Sequence, residues 1–219
     1  MMKVFSLIAA MLCTMHTKAI AEISGSLTAS YFLYPNSMEN SFKDDVSVEL
    51  KAMGQSSLSH DWELEYELVL RKSREDKGKN IIEPRQLFLR KPFEPFDFFI
   101  GNRQVFWGVT ESKNVVDFIN QADSASGNTT EDKLGASSIS ADFFVSDAEI
   151  QYFFIPYFRQ RTFNDQNAHP GLGLALNPAT FSDEKGRMGG DHALRFSNSI
   201  GDFDIGLSGF YGTARGPIL

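Results

Sequence analysis

Apolar and polar residues alternate along much of this chain, most clearly between Asp61 and Arg71. In that segment the even-numbered positions are apolar and most odd-numbered positions are charged: Trp62, Leu64, Tyr66, Leu68 and Leu70 against Glu63, Glu65, Glu67, Val69 and Arg71. Because successive side chains of a strand point to opposite faces, this pattern predicts a strand with one apolar and one charged face. About ten residues is also the length of a tilted strand that crosses a bilayer.

The same alternation recurs further along the chain and predicts about nine strands. Their predicted ranges are Ile23–Leu33, Asp45–Met53, Asp61–Arg71, Glu83–Lys91, Phe96–Phe106, Ala136–Phe144, Ala148–Tyr157, His192–Asn198 and Phe203–Tyr211. The connections alternate between short and long, and every long connection follows an odd-numbered predicted strand. This parity is typical of outer-membrane barrels, whose periplasmic turns are short and whose external loops are long.

Short turns and long loops can be assigned from residues that favour turns. Gly, Pro, Ser, Asn and Asp predict short turns at 54–57, 92–95, 145–147 and 199–202, and long external loops near 107–134 and 158–190. We therefore expect an all-β protein, an antiparallel transmembrane β-barrel in meander order. A soluble β-sandwich is the alternative fold, but it does not require the parity of the connections.

The amino terminus has the composition of a bacterial secretory signal peptide. Lys3 supplies a positive charge, Val4–Leu12 is apolar, and Ala19-Ile20-Ala21 is a small-x-small cleavage site. The alternative, a first core helix, is disfavoured because the run is too short to span a membrane and polar residues follow it directly. We expect residues 1–21 to be the signal peptide and residues 22–219 to form part of one barrel.

Composition narrows the class of protein further. The chain has 219 residues and a net charge of −7, so it lacks the basic surface with which proteins bind nucleic acid. Its one cysteine, Cys13, lies in the predicted leader, and Leu12 before it disfavours a lipid anchor, which needs a small residue there. Although 42% of the residues are hydrophobic, no second apolar run reaches the roughly 18 residues of a transmembrane helix.

An odd number of strands does not close a bacterial barrel, because these barrels have an even number. The predicted ninth strand ends on the external side at Gly212, and Pro217-Ile218-Leu219 supplies neither a closing strand nor a terminal aromatic residue. We therefore expect the chain to be the amino-terminal part of a longer barrel, inserted into outer-membrane lipid by the barrel-assembly machinery. An open edge in lipid would leave backbone groups unpaired.

Three segments between Phe88 and Leu219 carry a more specific pattern. They are Phe98–Glu111 followed by Val116–Asp123, then Ile155–Phe163, and finally Asp191–Phe196 with Gly201–Leu207. The first resembles the "GRQ…WGxxES…DxINPxD" pattern of a family of porin-like outer-membrane β-barrel proteins of Gram-negative bacteria, whose cargo is uncharacterised. The others resemble that family's "PxFRxRTFP" loop start and a later hairpin. The chain departs at Asn102, where Gly is usual, and at Gln121, where Pro is usual. The resemblance implies a location in the bacterial outer membrane and a longer barrel.

The segment after the fifth predicted strand is too apolar for an exposed loop. Trp107, Val115, Val116, Phe118 and Ile119 lie between polar residues, so we expect the loop to fold inward. There it would narrow the channel, and its candidate constriction residues are Trp107, Glu111, Lys113, Asp117 and Asp123. The alternative is a surface loop that packs on the barrel rim.

Charged positions on the predicted strands are the candidates for a pore lining. They are Glu49, Glu63, Glu65, Glu67, Arg71, Arg90 and Arg103. Opposed acidic and arginine rows would order water and select small hydrophilic solutes by charge. The alternative is that these residues only pair with one another and fill the barrel wall.

Residues typical of enzymes are sparse. His60, His169 and His192 have no metal spacing or triad context, so we expect no catalytic site, no cofactor and no metal. The oxygen-rich segment 123–132 is a minor candidate for calcium, but its spacing is not that of an EF-hand. The leading expectation is a channel for small hydrophilic solutes. The alternative is a non-conducting barrel that acts as a receptor, an anchor or a loop-borne hydrolase.

Overall fold

The computed structural model of the protein describes residues 5–9, 21–34, 41–107, 118–126, 132–168, 180–181 and 186–215. These residues form an all-β protein built on one large antiparallel sheet. The strands are β1 (Phe5–Ala9), β2 (Ala21–Leu33), β3 (Asp44–Ser57), β4 (Glu63–Ser73), β5 (Ile81–Phe93), β6 (Phe96–Arg103), β7 (Gln121–Ala122), β8 (Lys133–Leu134), β9 (Ala136–Val145), β10 (Ala148–Ile155), β11 (Asp191–Ile200) and β12 (Phe203–Tyr211). Short 3₁₀ turns lie at Ser59–Asp61, Lys77–Lys79 and Gly186–Met188.

The sheet is a meander in which each strand pairs with the next one along the chain. Its order is β1-β2-β3-β4-β5-β6-β9-β10-β11-β12, and β7 pairs only with β8. Nine strands of this large sheet follow the predicted leader, which confirms the number and order expected from the sequence. The sheet of described residues is not closed, since β1 and β12 are its edges. The backbone of β1 lies inside the predicted leader and pairs with β2, and the leader itself stays a prediction.

One face of the sheet, the apolar face, carries cross-strand rows of large apolar side chains. One row runs over four strands, and its exposed fractions are 49% for Leu27, 49% for Leu50, 44% for Leu70 and 84% for Ile82. A second row contains Leu64, Leu89, Ile100, Ile139 and Phe154. These residues form strands because β-branched, leucyl and aromatic side chains pack well with their cross-strand neighbours.

The opposite face, the polar face, carries charged residues that are more buried than the apolar ones. Asp45, Arg71, Arg85, Asp97 and Asp142 are all buried on it. Residues of the connections cover Asp45, Arg71 and Arg85, whereas Asp97 and Asp142 are paired with arginines of neighbouring strands. The sheet thus reverses the usual arrangement of a soluble protein, in which apolar side chains lie inside and charged ones outside.

Long and short connections alternate as the sequence predicts. Long ones follow β2, β4, β6 and β10, and short ones join β3 to β4, β5 to β6, β9 to β10, and β11 to β12. The last three short connections are two residues each, at 94–95, 146–147 and 201–202. The parity of the connections is therefore confirmed.

The predicted turn at 54–57 is wrong, because β3 continues to Ser57 and the chain reverses at Leu58–Trp62. Gly54 lies opposite Tyr66, and an added Cβ there would be 2.7 Å from the Tyr66 hydroxyl oxygen and 2.9 Å from its Cζ. The Glu22 carbonyl oxygen lies closer still, so this strand glycine makes room both for the backbone of β2 and for an aromatic ring. The predicted turn at 92–95 also shortens, because β5 extends to Phe93.

A β-bulge interrupts the pairing of β4 with β5, and the sequence pattern does not reveal it. Pro84 lies opposite Leu68 and Gln86 opposite Glu67, which leaves Arg85 without a partner in the register. An extra residue in one strand shifts which side chains share a face. The shift allows Glu83, Arg85 and Gln86 all to reach the polar face.

Candidate functional site

Six of the seven predicted pore-lining residues make ion pairs on the polar face. Glu49 lies 3.4 Å from Arg71, Glu63 lies 2.9 Å from Arg90, and Glu67 lies 3.2 Å from Lys51. Each of these pairs joins neighbouring strands, because residues opposite each other in an antiparallel ladder lie close together. Two of the three glutamates of β4, Glu63 and Glu67, are therefore paired with cations on neighbouring strands.

Arginines of β5 and β6 extend this pairing toward β9. Arg90 also lies 2.6 Å from Asp97, and Arg103 lies 2.6 Å from Asp142. The Arg103 guanidinium stacks over Phe99 at 3.7 Å from the ring centroid, which favours one orientation of the cation. Glu65, the seventh predicted residue, is exposed on the same face opposite Gln55 and Phe88.

The described parts of the segment that follows β6, residues 104–107 and 118–126, lie over the polar face. Trp107 and Ile119 pack with Val105, Phe153 and Ala193 in the one cluster of buried apolar residues found among the described residues. The Trp107 ring meets Phe118 and Phe153 edge-on, at centroid distances of 5.4 and 5.8 Å. Its Nε1–H donates to Gln151 Oε1 at 2.8 Å, so the buried indole has a polar partner.

Asn120 fastens the same segment to the strands beside it. Its side-chain oxygen accepts from the Val105 amide at 2.7 Å, and its Nδ2 donates to the carbonyls of Arg103 and Leu134 at 3.0 and 3.1 Å. The residue is buried. One side chain thus satisfies three backbone groups near the ends of β6 and β8, and such groups are costly to leave unpaired.

Asp123 is fully buried and holds the segment against two strands and a second loop. Its Oδ2 accepts from Arg71 Nη2 at 2.7 Å and from Arg85, and its Oδ1 accepts from Thr162 Oγ1 at 2.5 Å. Burial opposes ionisation, but the hydrogen bonds from Thr162 and Arg71 and the charges of Arg71 and Arg85 hold the pKa of Asp123 below its ordinary value. Both carboxylate oxygens are occupied.

Two of the constriction candidates are buried in the structure. Asp123 and Trp107 both pack against the sheet, and their role at a constriction stays a prediction. The occupied carboxylate also disfavours Asp123 as a calcium ligand. Glu111, Lys113 and Asp117 lie outside the described residues, as does most of the remaining oxygen-rich segment.

The loops after β4 and β10 meet at the same end of the sheet. Asp76 accepts from Asn164 Nδ2 at 2.7 Å and from the Asp165 amide at 2.8 Å, while Asp45 accepts from Ser73 Oγ at 2.7 Å and lies 3.0 Å from Lys79 Nζ. Through these contacts, residues that follow β10 reach across to the loop that follows β4. These hydrogen bonds hold the two loops together at this end of the sheet.

A second anchor lies beside the last strand. Arg215 Nε donates to the Phe118 carbonyl at 3.0 Å, and its Nη2 lies 2.8 Å from Asp191 Oδ2. Burial lowers the pKa of Arg215 below its ordinary value, although the Asp191 carboxylate opposes this effect. Between the folded segment and the wall lies a cavity of about 10 Å³, lined by Ile119, Gln121 and Arg159 among others. Such a cavity has room for about one water molecule.

The sequence does not single out several residues of this site. Arg85, Thr162, Asn120 and Asp142 make its key contacts, but their partners lie far away along the chain or on other strands. The pattern "DxINPxD" marks Asn120 and Asp123 as a pair, and this is the one sequence signal that could have found them. No sequence signal points to Arg85, which reaches Asp123 through the bulge.

His192 lies near the start of β11, on the apolar face with Leu194. Its Nδ1 is 2.8 Å from the Tyr152 hydroxyl, and its ring packs on Phe154 at a centroid distance of 5.2 Å. Within the described part of the chain, no group of three or more His, Cys, Asp or Glu residues is arranged to hold a metal ion. The same part contains no helix long and apolar enough to cross a membrane.

No protein-family model matches the chain, and no match was found among the curated proteins or among the solved structures.

Proposed function

We propose that this chain forms part of the membrane-spanning wall of a bacterial outer-membrane channel for small hydrophilic solutes. The observation that carries the proposal is the reversed sheet, with rows of exposed apolar side chains on one face and buried ion pairs on the other. In water this arrangement is unfavourable on both faces, because it exposes apolar area and buries charge. In a bilayer the apolar face contacts lipid, and the polar face lines a water-filled lumen.

The alternating connections support the orientation of such a wall. The short turns would lie in the periplasm, and the long connections after β2, β4, β6 and β10 would lie on the external side. The predicted signal peptide is consistent with export across the inner membrane, after which the barrel-assembly machinery would insert the strands. Outer-membrane lipid is then the partner of the apolar face.

The ion pairs of the polar face support passage of solutes that carry charge or hydrogen-bonding groups. Glu63, Glu65 and Arg90 remain partly exposed near the short-turn end, where they can order water and interact with a solute. The described parts of the segment that follows β6, residues 104–107 and 118–126, lie over the polar face at the opposite end. Their position suits a constriction that limits the size of the solutes that pass.

Single-channel conductance of the full-length gene product tests this proposal. The protein should migrate faster on gels before boiling than after, as folded barrels do, and should give discrete conductance steps in planar bilayers with KCl on both sides. Liposomes that contain it should swell in isotonic small sugars. A folded, heat-modifiable protein that gives neither conductance nor swelling contradicts the channel.

A second candidate, a plugged barrel that acts as a receptor or an anchor, is favoured by one observation. Residues 118–126 pack tightly on the polar face, and the cavity beside them holds about one water molecule. A protein that is heat-modifiable but silent in bilayers would fit this candidate. A protein that does not partition into membranes would contradict both the channel and the plugged barrel.

A further inference from the structure

Aromatic side chains form two cross-strand rows on the apolar face near the short turns. Phe93, Phe96 and Phe143 lie side by side across β5, β6 and β9, with ring centroids 5.1 and 5.2 Å apart. In the next row, one step further from the turns, Trp62 meets Phe98 edge-on at 6.4 Å. In a membrane-spanning wall, aromatic residues lie at the boundary between hydrocarbon and lipid headgroups. On the proposed function, this aromatic band therefore lies at the headgroups of the leaflet at the short-turn end.

A lysine, Lys91, lies within the aromatic band on the same face. It is opposite Phe98 in the pairing of β5 with β6, and its Nζ is 5.5 Å from the ring centroids of both Trp62 and Phe93. A cation is attracted to the faces of aromatic rings, so the two rings hold the ammonium group in place. Contacts with rings leave its three N–H donors unused.

Lys91 and Trp62 together present two donors that are free to bind an acceptor. Among the described residues, neither Lys91 Nζ nor Trp62 Nε1 has a hydrogen-bond acceptor or an ion-pair partner. Asp61 and Glu94, the acids of the two adjoining turns, are exposed and form no ion pair with Lys91. Lys51 on the polar face, by contrast, lies 3.2 Å from Glu67. Because the ammonium is 5.5 Å from the centre of the indole, one group with several acceptor oxygens can accept from both donors.

We propose that Lys91 and Trp62 bind the phosphate of a glycerophospholipid in the leaflet at the short-turn end. The phosphate complements the unpaired ammonium in charge, and its oxygens accept from both donors. The acyl chains then lie along the row of Leu64, Leu89 and Ile100, which is the next row toward the middle of the apolar face. The inference rests on the proposed membrane-spanning wall, but it does not require the channel to be open.

The test measures how many molecules of dioleoylphosphatidylglycerol bind the full-length protein in detergent, by native mass spectrometry. Lys91→Gln keeps most of the side-chain length but removes the charge. We expect the apparent Kd of the first lipid to rise by about fivefold, which is the contribution of one lysine near an anionic lipid surface. Lys91→Arg should bind nearly as well as the wild type. Dioleoylglycerol, which lacks the phosphate, should bind the wild type and Lys91→Gln equally.

Lys72→Gln is the matched control for charge. Lys72 also lies on the apolar face, opposite Val48, but at the end of the long connections, and it contacts no aromatic ring among the described residues. This variant loses the same charge and should keep the wild-type affinity for the lipid. Equal weakening by Lys72→Gln and Lys91→Gln would overturn the site, since the lipid would then respond only to net charge.

Trp62→Phe is a second variant that keeps an aromatic ring beside Lys91 and removes the Nε1–H donor. It should weaken binding by about two- to threefold, and heat-modifiable migration on gels checks that each variant folds. Wild-type affinity in both Lys91→Gln and Trp62→Phe, or no lipid bound by the wild type, overturns the site even if the protein conducts. Weakening by both variants in a protein that is silent in planar bilayers contradicts the channel but supports the lipid site.

Discussion

Arginine in place of Leu50 would reveal whether the apolar face meets lipid or water. Leu50 lies in the middle of β3, opposite Leu27 on one side and Leu70 on the other. About half of its surface, 49%, is exposed. An arginine here would project from the apolar face without disturbing the ion pairs of the polar face.

The loss of stability caused by Leu50→Arg depends on whether lipid or water surrounds the apolar face. An arginine at the midplane of a bilayer costs a transmembrane barrel about 2–4 kcal/mol, and one near the interface costs about 0–1 kcal/mol. The midplane cost corresponds to a fall of roughly 30- to 1,000-fold in the folding equilibrium constant. In water the same substitution at a half-exposed position would change stability by less than about 0.5 kcal/mol.

Phe203→Arg supplies the control for depth. Phe203 lies on the same face but at the first position of β12, next to the two-residue turn. Both variants are unfolded with urea in lipid vesicles, and the heat-modifiable fraction is measured at each concentration. We expect Leu50→Arg to lose much more stability than Phe203→Arg. Equal and small effects at the two positions would refute the membrane-spanning sheet.

Three further predictions concern the packing and the Asp123 ion pairs. The loss of stability caused by Asp123→Asn should be the same at each pH down to the ordinary aspartate pKa of 3.8 and should shrink only below it, because the lowered pKa of Asp123 keeps its stabilising charge until that point; urea titrations of both proteins across this pH range check this, and a difference that shrinks above 3.8 would contradict it. Gly54→Ala should destabilise the protein by about 1–3 kcal/mol, because the new methyl group overlaps the Glu22 carbonyl oxygen and the Tyr66 ring, whereas Gly209→Ala, with nothing within 4 Å of the new methyl group, should cost much less in the same urea titration. Asn120→Ala should cost about 3 kcal/mol, because it unpairs one buried amide and two carbonyls, and it should speed protease cleavage in the segment that follows β6; unchanged cleavage would exclude a fastening role.

Most of the sheet can be predicted from the sequence because strand alternation is a local property. The alternation of apolar and charged residues in β4 predicts its two faces. The positions of residues that favour turns predict which connections are short and which are long. The error at 54–57 has a local cause, since Gly, Gln and Ser are typical of turns. In the structure Gly54 lies in β3 opposite Tyr66, a residue twelve positions further along the chain.

The contacts of the site are harder to predict because they depend on how distant segments meet. The apolar residues near Trp107 predict that the loop packs against the protein, but they do not reveal that Trp107 contacts Gln151 and Phe153. In the sequence, nothing in the alternation pattern distinguishes Asp123 from the other acidic residues of its polar loop. Its role depends on Arg85, whose position follows from a bulge that alternation alone does not reveal.

Thiol labelling along β3 tests most directly whether the two faces of the sheet meet different solvents. Residues 22–219 contain no cysteine, so single cysteines at Val48, Glu49, Leu50 and Lys51 add one thiol to this part of the protein, and the unsubstituted full-length protein supplies the labelling background. In the membrane-inserted full-length protein, a water-soluble thiol reagent should label positions 49 and 51, and a lipid-soluble reagent should label positions 48 and 50. Labelling of positions 48 and 50 by the water-soluble reagent, at the rate seen for 49 and 51, would contradict the membrane-spanning wall.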